Sequence, residues 1–130
     1  MKPLRFVVMG LAVGIFCLGP AAPALAAPAK VVDTQPPVVS IVGKTGNLVL
    51  VNTNPLLVQA TAKDEVGLAH VWFNTMTVAG FLTLNSKNGF FETAVNTGQL
   101  NCSVDMLFVF ATDLNGNVGM DMALVQNNMC

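Results

Sequence analysis

Between residues 36 and 126 apolar positions come in short runs, separated at intervals of about eight to twelve residues by segments rich in Gly, Pro, Asn and Asp. Leu56 to Lys63 alternates most regularly. Leu56, Val58, Ala60 and Ala62 share one face, and Leu57, Gln59, Thr61 and Lys63 share the other. The same reading predicts strands at Val38 to Val42, Leu48 to Val51, Leu68 to Phe73, Met76 to Leu84, Phe90 to Ala94, Val104 to Thr112 and Val118 to Gln126. Two prolines, Pro36 and Pro37, force extended backbone ahead of the first run. No window carries sustained helical periodicity. Seven or eight short strands with regular turns predict an antiparallel β-sandwich.

The last two runs flank Ala111-Thr112-Asp113-Leu114-Asn115-Gly116-Asn117. Asp, Asn and Gly accept the backbone of a tight connection, and their side chains bond their own main chain, so a hairpin is expected here. With Asp113 and Val118 flanking its turn, the register extends to place Cys102 near Cys130 at the open end. A disulfide between them is expected, closing a loop worth about 3–4 kcal/mol in the chain-entropy model.

The first 26 residues follow a different pattern. Lys2 and Arg5 precede an apolar stretch from Phe6 to Leu18, and Ala24-Leu25-Ala26 is a small-x-small cleavage site. Residues 1–26 are therefore expected to be a cleaved signal peptide, 27–35 a short leader and 36–130 the folded domain. Cys17 is no lipoprotein site, because the bulky Phe16 precedes it. Loss of the signal leaves four Lys, no Arg and seven acids. That acidic balance argues against nucleic acid and anionic membrane as partners. No later segment is long enough for a membrane span. Two remaining cysteines in an oxidising compartment agree with a secreted or periplasmic protein.

Asp33-x-x-Pro36-Pro37, then Ala62-Lys63-Asp64-Glu65-Val66-Gly67-Leu68 with Val71-x-Phe73, then Ala111-x-Asp113-x-x-Gly116-Asn117 occur in this order and spacing. In this the chain resembles bacterial Ig-like modules of exported and surface proteins, across residues 33 to 126. The resemblance implies an all-β, Ig-like antiparallel sandwich. Such modules usually occur in tandem, whereas this chain has room for one.

Catalysis finds little support. His70 is the only histidine and has no Ser or Cys near it in a nucleophile motif. Gly43-Lys44-Thr45 lacks the first glycine of a phosphate-binding loop, since Val38 stands there. No enzyme activity and no cofactor are expected. The Ig-like resemblance implies that the start of the first strand, the Asp64-Glu65 connection and the last hairpin turn share one pole. Asp33, Asp64, Glu65, Asp113, Asn115 and Asn117 would then form a candidate calcium site. The competing reading is turn chemistry, with Asp and Asn capping backbone amides. Met120 and Met122 share a strand face, but without further Met or His around them they read as apolar filling and not as a copper site.

The resemblance also assigns faces. It turns Val71, Phe73, Leu107, Val109, Ala111, Ala123 and Val125 into the core, leaving His70, Trp72, Phe108, Phe110, Met120, Met122 and Leu124 outside. An outward apolar set marks a partner surface. Its best members are Trp72, Phe108, Phe110, Met122 and Leu124. The reversed phase buries this set and gives Asp121 to water; Asp121 fits that phase better, while Val71-x-Phe73 fits the first. The leading expectation is a non-catalytic exported module that binds a protein partner, or a second copy of itself, through this face. The alternative is a carbohydrate-binding module that uses an exposed Trp72 as a stacking platform.

Overall fold

The computed structural model describes residues 32–130, so the expected signal peptide, Cys17 and the first part of the leader lie outside the described residues. Nine strands occur within that range: β1 Val38–Ile41, β2 Leu48–Val51, β3 Leu56–Lys63, β4 Leu68–Asn74, β5 Ala79–Phe81, β6 Thr83–Asn85, β7 Phe90–Val95, β8 Ser103–Asp113 and β9 Val118–Asn127. They form a four-stranded sheet in the order β1-β3-β7-β6 and a five-stranded sheet in the order β2-β9-β8-β4-β5. The chain is an all-β sandwich.

Two features depart from the expected antiparallel arrangement of seven or eight strands. The Met76 to Leu84 run is two short strands in different sheets. Thr75 closes a turn first: its hydroxyl accepts the N–H of Thr77 and of Val78, and the strand begins only at Ala79. At Leu82 the chain then changes sheet. The Leu82 side chain is buried, and its N–H donates to Val71 O at 2.9 Å, a hold on β4 that is released one residue later as β6 joins β7. The second departure is a parallel pair. After β1 the chain turns through Gly43 and Gly46, both at positive φ, and crosses to the other sheet, where β2 lies parallel to β9.

The core lies between the sheets. Ile41, Val58, Ala60 and Val95 come from the smaller sheet, and Val49, Val51, Val71, Phe73, Leu107, Val109, Ala111, Ala123 and Val125 from the larger. Strict alternation on β8 and β9 makes this possible, because every second side chain of an antiparallel strand faces the same way. The phase is the first of the two expected from sequence: Val71 and Phe73 point inward, and Asp121 does too. Asp121 is satisfied there by the β1 edge. Its carboxylate accepts the Ile41 N–H at 2.8 Å and the Lys44 ammonium at 2.7 Å. Burial pushes its carboxyl up, but the Lys44 side chain and the Ile41 and Met122 N–H groups outweigh that and hold it below the usual range. Beside it the sheets touch at Gly119, where an added Cβ would lie 1.9 Å from Pro37 O.

A second inward carboxylate holds the opposite end. Asp105 on β8 is fully buried and accepts the N–H of Met76 and Asn101, each at 2.9 Å, and of Met106 at 2.8 Å. The Thr77 hydroxyl adds a longer bond at 3.3 Å. Desolvation raises this carboxyl, yet those donors prevail and keep it below its ordinary value. Asp105 thereby ties the β4–β5 turn to the segment that enters β8.

Cys102 and Cys130 form a disulfide with Cα atoms 5.6 Å apart. The register that brings them together differs from the expected one. Thr112 pairs with Val118 and Ser103 with Asn127, while Asp113, the last residue of β8, closes the turn on Asn117 and not on Val118, so Cys102 extrapolates to Asn128. The ladder stops at Ser103, which has φ +77°, and the C-terminus folds back as Met129 N–H donates to the Asn127 side chain. The bridge therefore closes beyond the ladder instead of within it.

Candidate functional site

The outward faces of the two sheets differ in chemistry. On the smaller sheet, register places Ser40, Gln59, Thr61, Lys63, Thr83, Asn85 and Glu92 outside among a few apolar residues. Gln59 and Asn85 both donate to the Glu92 carboxylate, and these bonds hold it below its usual pKa. That is the solvated face expected of an antiparallel sheet.

On the larger sheet the outward positions form cross-strand rows instead. Phe81, Trp72, Phe110 and Met120 make one row across β5, β4, β8 and β9. Asn74, Phe108 and Met122 make the next, and Met106, Leu124 and Leu48 follow. None of these positions carries Asp, Glu, Lys or Arg, and His70 is the only ionisable outward residue on the five strands. Trp72 and Phe110 stack with ring centroids 5.2 Å apart and planes 15° apart, and Phe110 and Phe108 stack at 6.2 Å. Such mutual contact half-buries the three aromatics. The ends of the first row stay open, with Phe81 68% and Met120 52% exposed.

Trp72, Phe108, Phe110, Met122 and Leu124 thus share one face. Phe81 completes it and was not anticipated. Its signal was the alternation that, with Leu82 inward, puts Phe81 outward, but a single strand over Met76 to Leu84 hid the sheet change that isolates it. A hollow of about 460 Å³ indents the face, lined by His70, Trp72, Ala79, Gly80, Phe81 and Thr112. Gly80 faces inward beneath it, where a Cβ would meet the buried Phe73 ring at 3.0 Å.

The acidic pole also assembles, in part. Carboxylate oxygens of Asp33, Asp64 and Asp113 lie within 4.8 Å of one another. Each acid also holds a turn. Asp64 accepts the N–H of Val66 and Gly67, Asp33 that of Gln35, and Asp113 those of Asn115 and Asn117. Asn117 turns its amide NH2 towards the group, donating to Asp113 and to Asp33 O. Asn115 and Glu65 are exposed beside it. Asp113 is buried, which raises its carboxyl, but the Asn117 side chain and the two turn N–H groups pull it below the usual range. One oxygen of Asp33 is buried with no donor.

No protein-family model and no curated protein sequence matches the chain. Among solved structures the fold is similar to the endo-beta-1,4-mannanase from Thermotoga petrophila, with a TM-score of 0.58 and 12% identity. The match covers 73% of this chain, which spans only 20% of that structure. At that identity the likeness concerns the fold alone.

Proposed function

We propose that this chain is a non-catalytic, exported Ig-like module that binds protein through the outer face of its five-stranded sheet. The carrying observation is the contrast between the two sheets. One outer face is solvated by Lys63, Glu92, Gln59 and Asn85, while the other has no formally charged side chain and holds a row of three aromatics ending in Met120. Contiguous apolar surface of that kind is costly to leave in water and is the usual mark of a protein contact. Aromatic residues and methionine are also what interface cores favour.

Ig kinship draws support from the strand order. A four-stranded sheet faces one in which the last hairpin pairs with the middle strand, as in variable-type Ig sandwiches. Export draws support from the basic-apolar-small pattern of residues 1–26 and from the disulfide. Protein is favoured over sugar because the Trp72 ring is stacked on Phe110 and has apolar Phe81 as its other cross-strand neighbour. A sugar platform needs an open aromatic face, and Phe110 is stacked on this one.

A photo-crosslinking phenylalanine analogue at Phe108, expressed in the exporting cell, tests this. Protein adducts are expected at Phe108 and not with the same analogue at Leu57, which is exposed on the opposite sheet. Equal adduct formation at both positions, or adducts to glycan alone, would refute the proposal.

A further inference from the structure

We infer that the protein received by this face is a second copy of the chain, an inference that rests on the binding-face reading above. Three observations point to self-pairing. The face has the size of a dimer interface. With about 3.3 Å rise per residue and 4.8 Å between strands, the five strands present roughly 550 Å² of flat sheet. Side-chain relief enlarges that towards the ~800 Å² that each partner of a standard interface buries.

The face is also electrostatically fit to meet itself. The described residues carry three Lys and seven acids, so two copies repel each other in general. The acids lie at the Asp33–Asp64–Asp113 pole with Glu65 beside it, on the other sheet at Glu92, or inward at Asp105 and Asp121. Only a face without Asp, Glu, Lys or Arg brings two such molecules together without apposing like charges.

The third observation is self-complementary relief along one row. Met120 projects at the β9 end, and the hollow beside Trp72 and Phe81 opens at the β4–β5 end. A two-fold axis lying along the strands lays one sheet on the other with the cross-strand order reversed. Each copy's Met120 then comes over the other's hollow, while Phe110 and Phe108 meet near the axis. Residue i contacts j and j contacts i, as a closed two-fold interface requires. Methionine suits the role because its unbranched thioether adapts to an irregular apolar site and packs well on aromatic edges.

Sedimentation equilibrium on the purified protein tests the inference, with far-UV circular dichroism on each variant. The wild type is expected to sediment at twice the chain mass at micromolar concentration. Met120→Asp places a charge on an already exposed side chain, so it should keep the native spectrum and weaken dimerisation by about tenfold or more. Phe110→Lys should yield a monomer; if it misfolds, Met120→Asp still decides. A wild type that stays monomeric at high micromolar concentration overturns the second-copy inference and leaves the face free for a different protein. A dimer indifferent to Met120→Asp, and to Phe110→Lys where that variant folds, overturns both the inference and the binding-face reading, because another surface would then be pairing.

Discussion

Asp105→Ala is the most demanding perturbation of the scaffold that presents this face. The wild-type carboxylate takes three backbone N–H groups, from Met76, Asn101 and Met106, and a weaker bond from Thr77. Alanine leaves those donors without an acceptor where the carboxylate was fully enclosed. A buried unsatisfied donor costs about 1–3 kcal/mol, and water entering the vacated space recovers some of it. We therefore expect a loss of about 3–5 kcal/mol, a large share of the 5–15 kcal/mol typical of a domain. Urea unfolding followed by the fluorescence of Trp72, the sole tryptophan, reads this directly. The midpoint should fall with the slope unchanged. The Asp105 carboxyl is held below its unfolded value, so its contribution is present above the unfolded carboxylate pKa and is lost as pH falls through the lower folded one. Asp105→Asn should accordingly flatten the acid limb of the stability profile. A loss below about 1 kcal/mol, or an acid limb unchanged by Asp105→Asn, would refute the assigned role.

Replacing both Cys102 and Cys130 by Ser should cost about 3 kcal/mol and leave the circular dichroism spectrum native, because the bridge lies beyond the hairpin ladder. Recovery of both residues as free thiols from freshly exported protein would contradict the pairing. Gly119→Ala should destabilise by about 1–3 kcal/mol through overpacking against Pro37 O, read as a lower melting temperature. Calcium should leave the melting curve unmoved: the three carboxylates already hold turn N–H groups, and Asn117 offers them NH2 in place of an oxygen. A calcium-dependent rise that Asp33→Asn abolishes would overturn that assignment, since one Asp33 oxygen has no other partner.

Much of the architecture was legible because strands with one buried face alternate. Leu56 to Lys63 reads directly as β3, and Val71, Phe73, Leu107 and Val109 reveal their inward phase once one of them is placed. Turn residues marked the last hairpin, but not its register. Asp113 does flank the turn, but its N–H closes on Asn117 O, one residue short of Val118, while its side chain accepts the Asn115 and Asn117 N–H groups. The sheet change at Leu82 left no signal, since an ordinary buried leucine performs it. Asp121 favoured the wrong phase because its compensation, the Ile41 N–H and Lys44, lies about 80 residues away in the chain. Asp105 was a missed clue. Counting back by two from Leu107 places a carboxylate on the core face, and a charge in that position announces a cluster of donors. The candidate face was legible residue by residue; its hollow was not, because it is lined from β4, β5 and β8 together and needs the break that isolates the short β5 strand.

The central claim is that the outer sheet face is covered by protein, and the methionines report on it separately. Met106, Met120 and Met122 lie on that face, while Met76 sits in the β4–β5 turn and Met129 near the disulfide. In methyl NMR spectra recorded across a dilution series, the first three should shift together as the protein is diluted, and Met76 and Met129 should stay fixed. Shifts confined to Met76 or Met129, or five methyl signals indifferent to concentration and to every added envelope protein, would contradict the account.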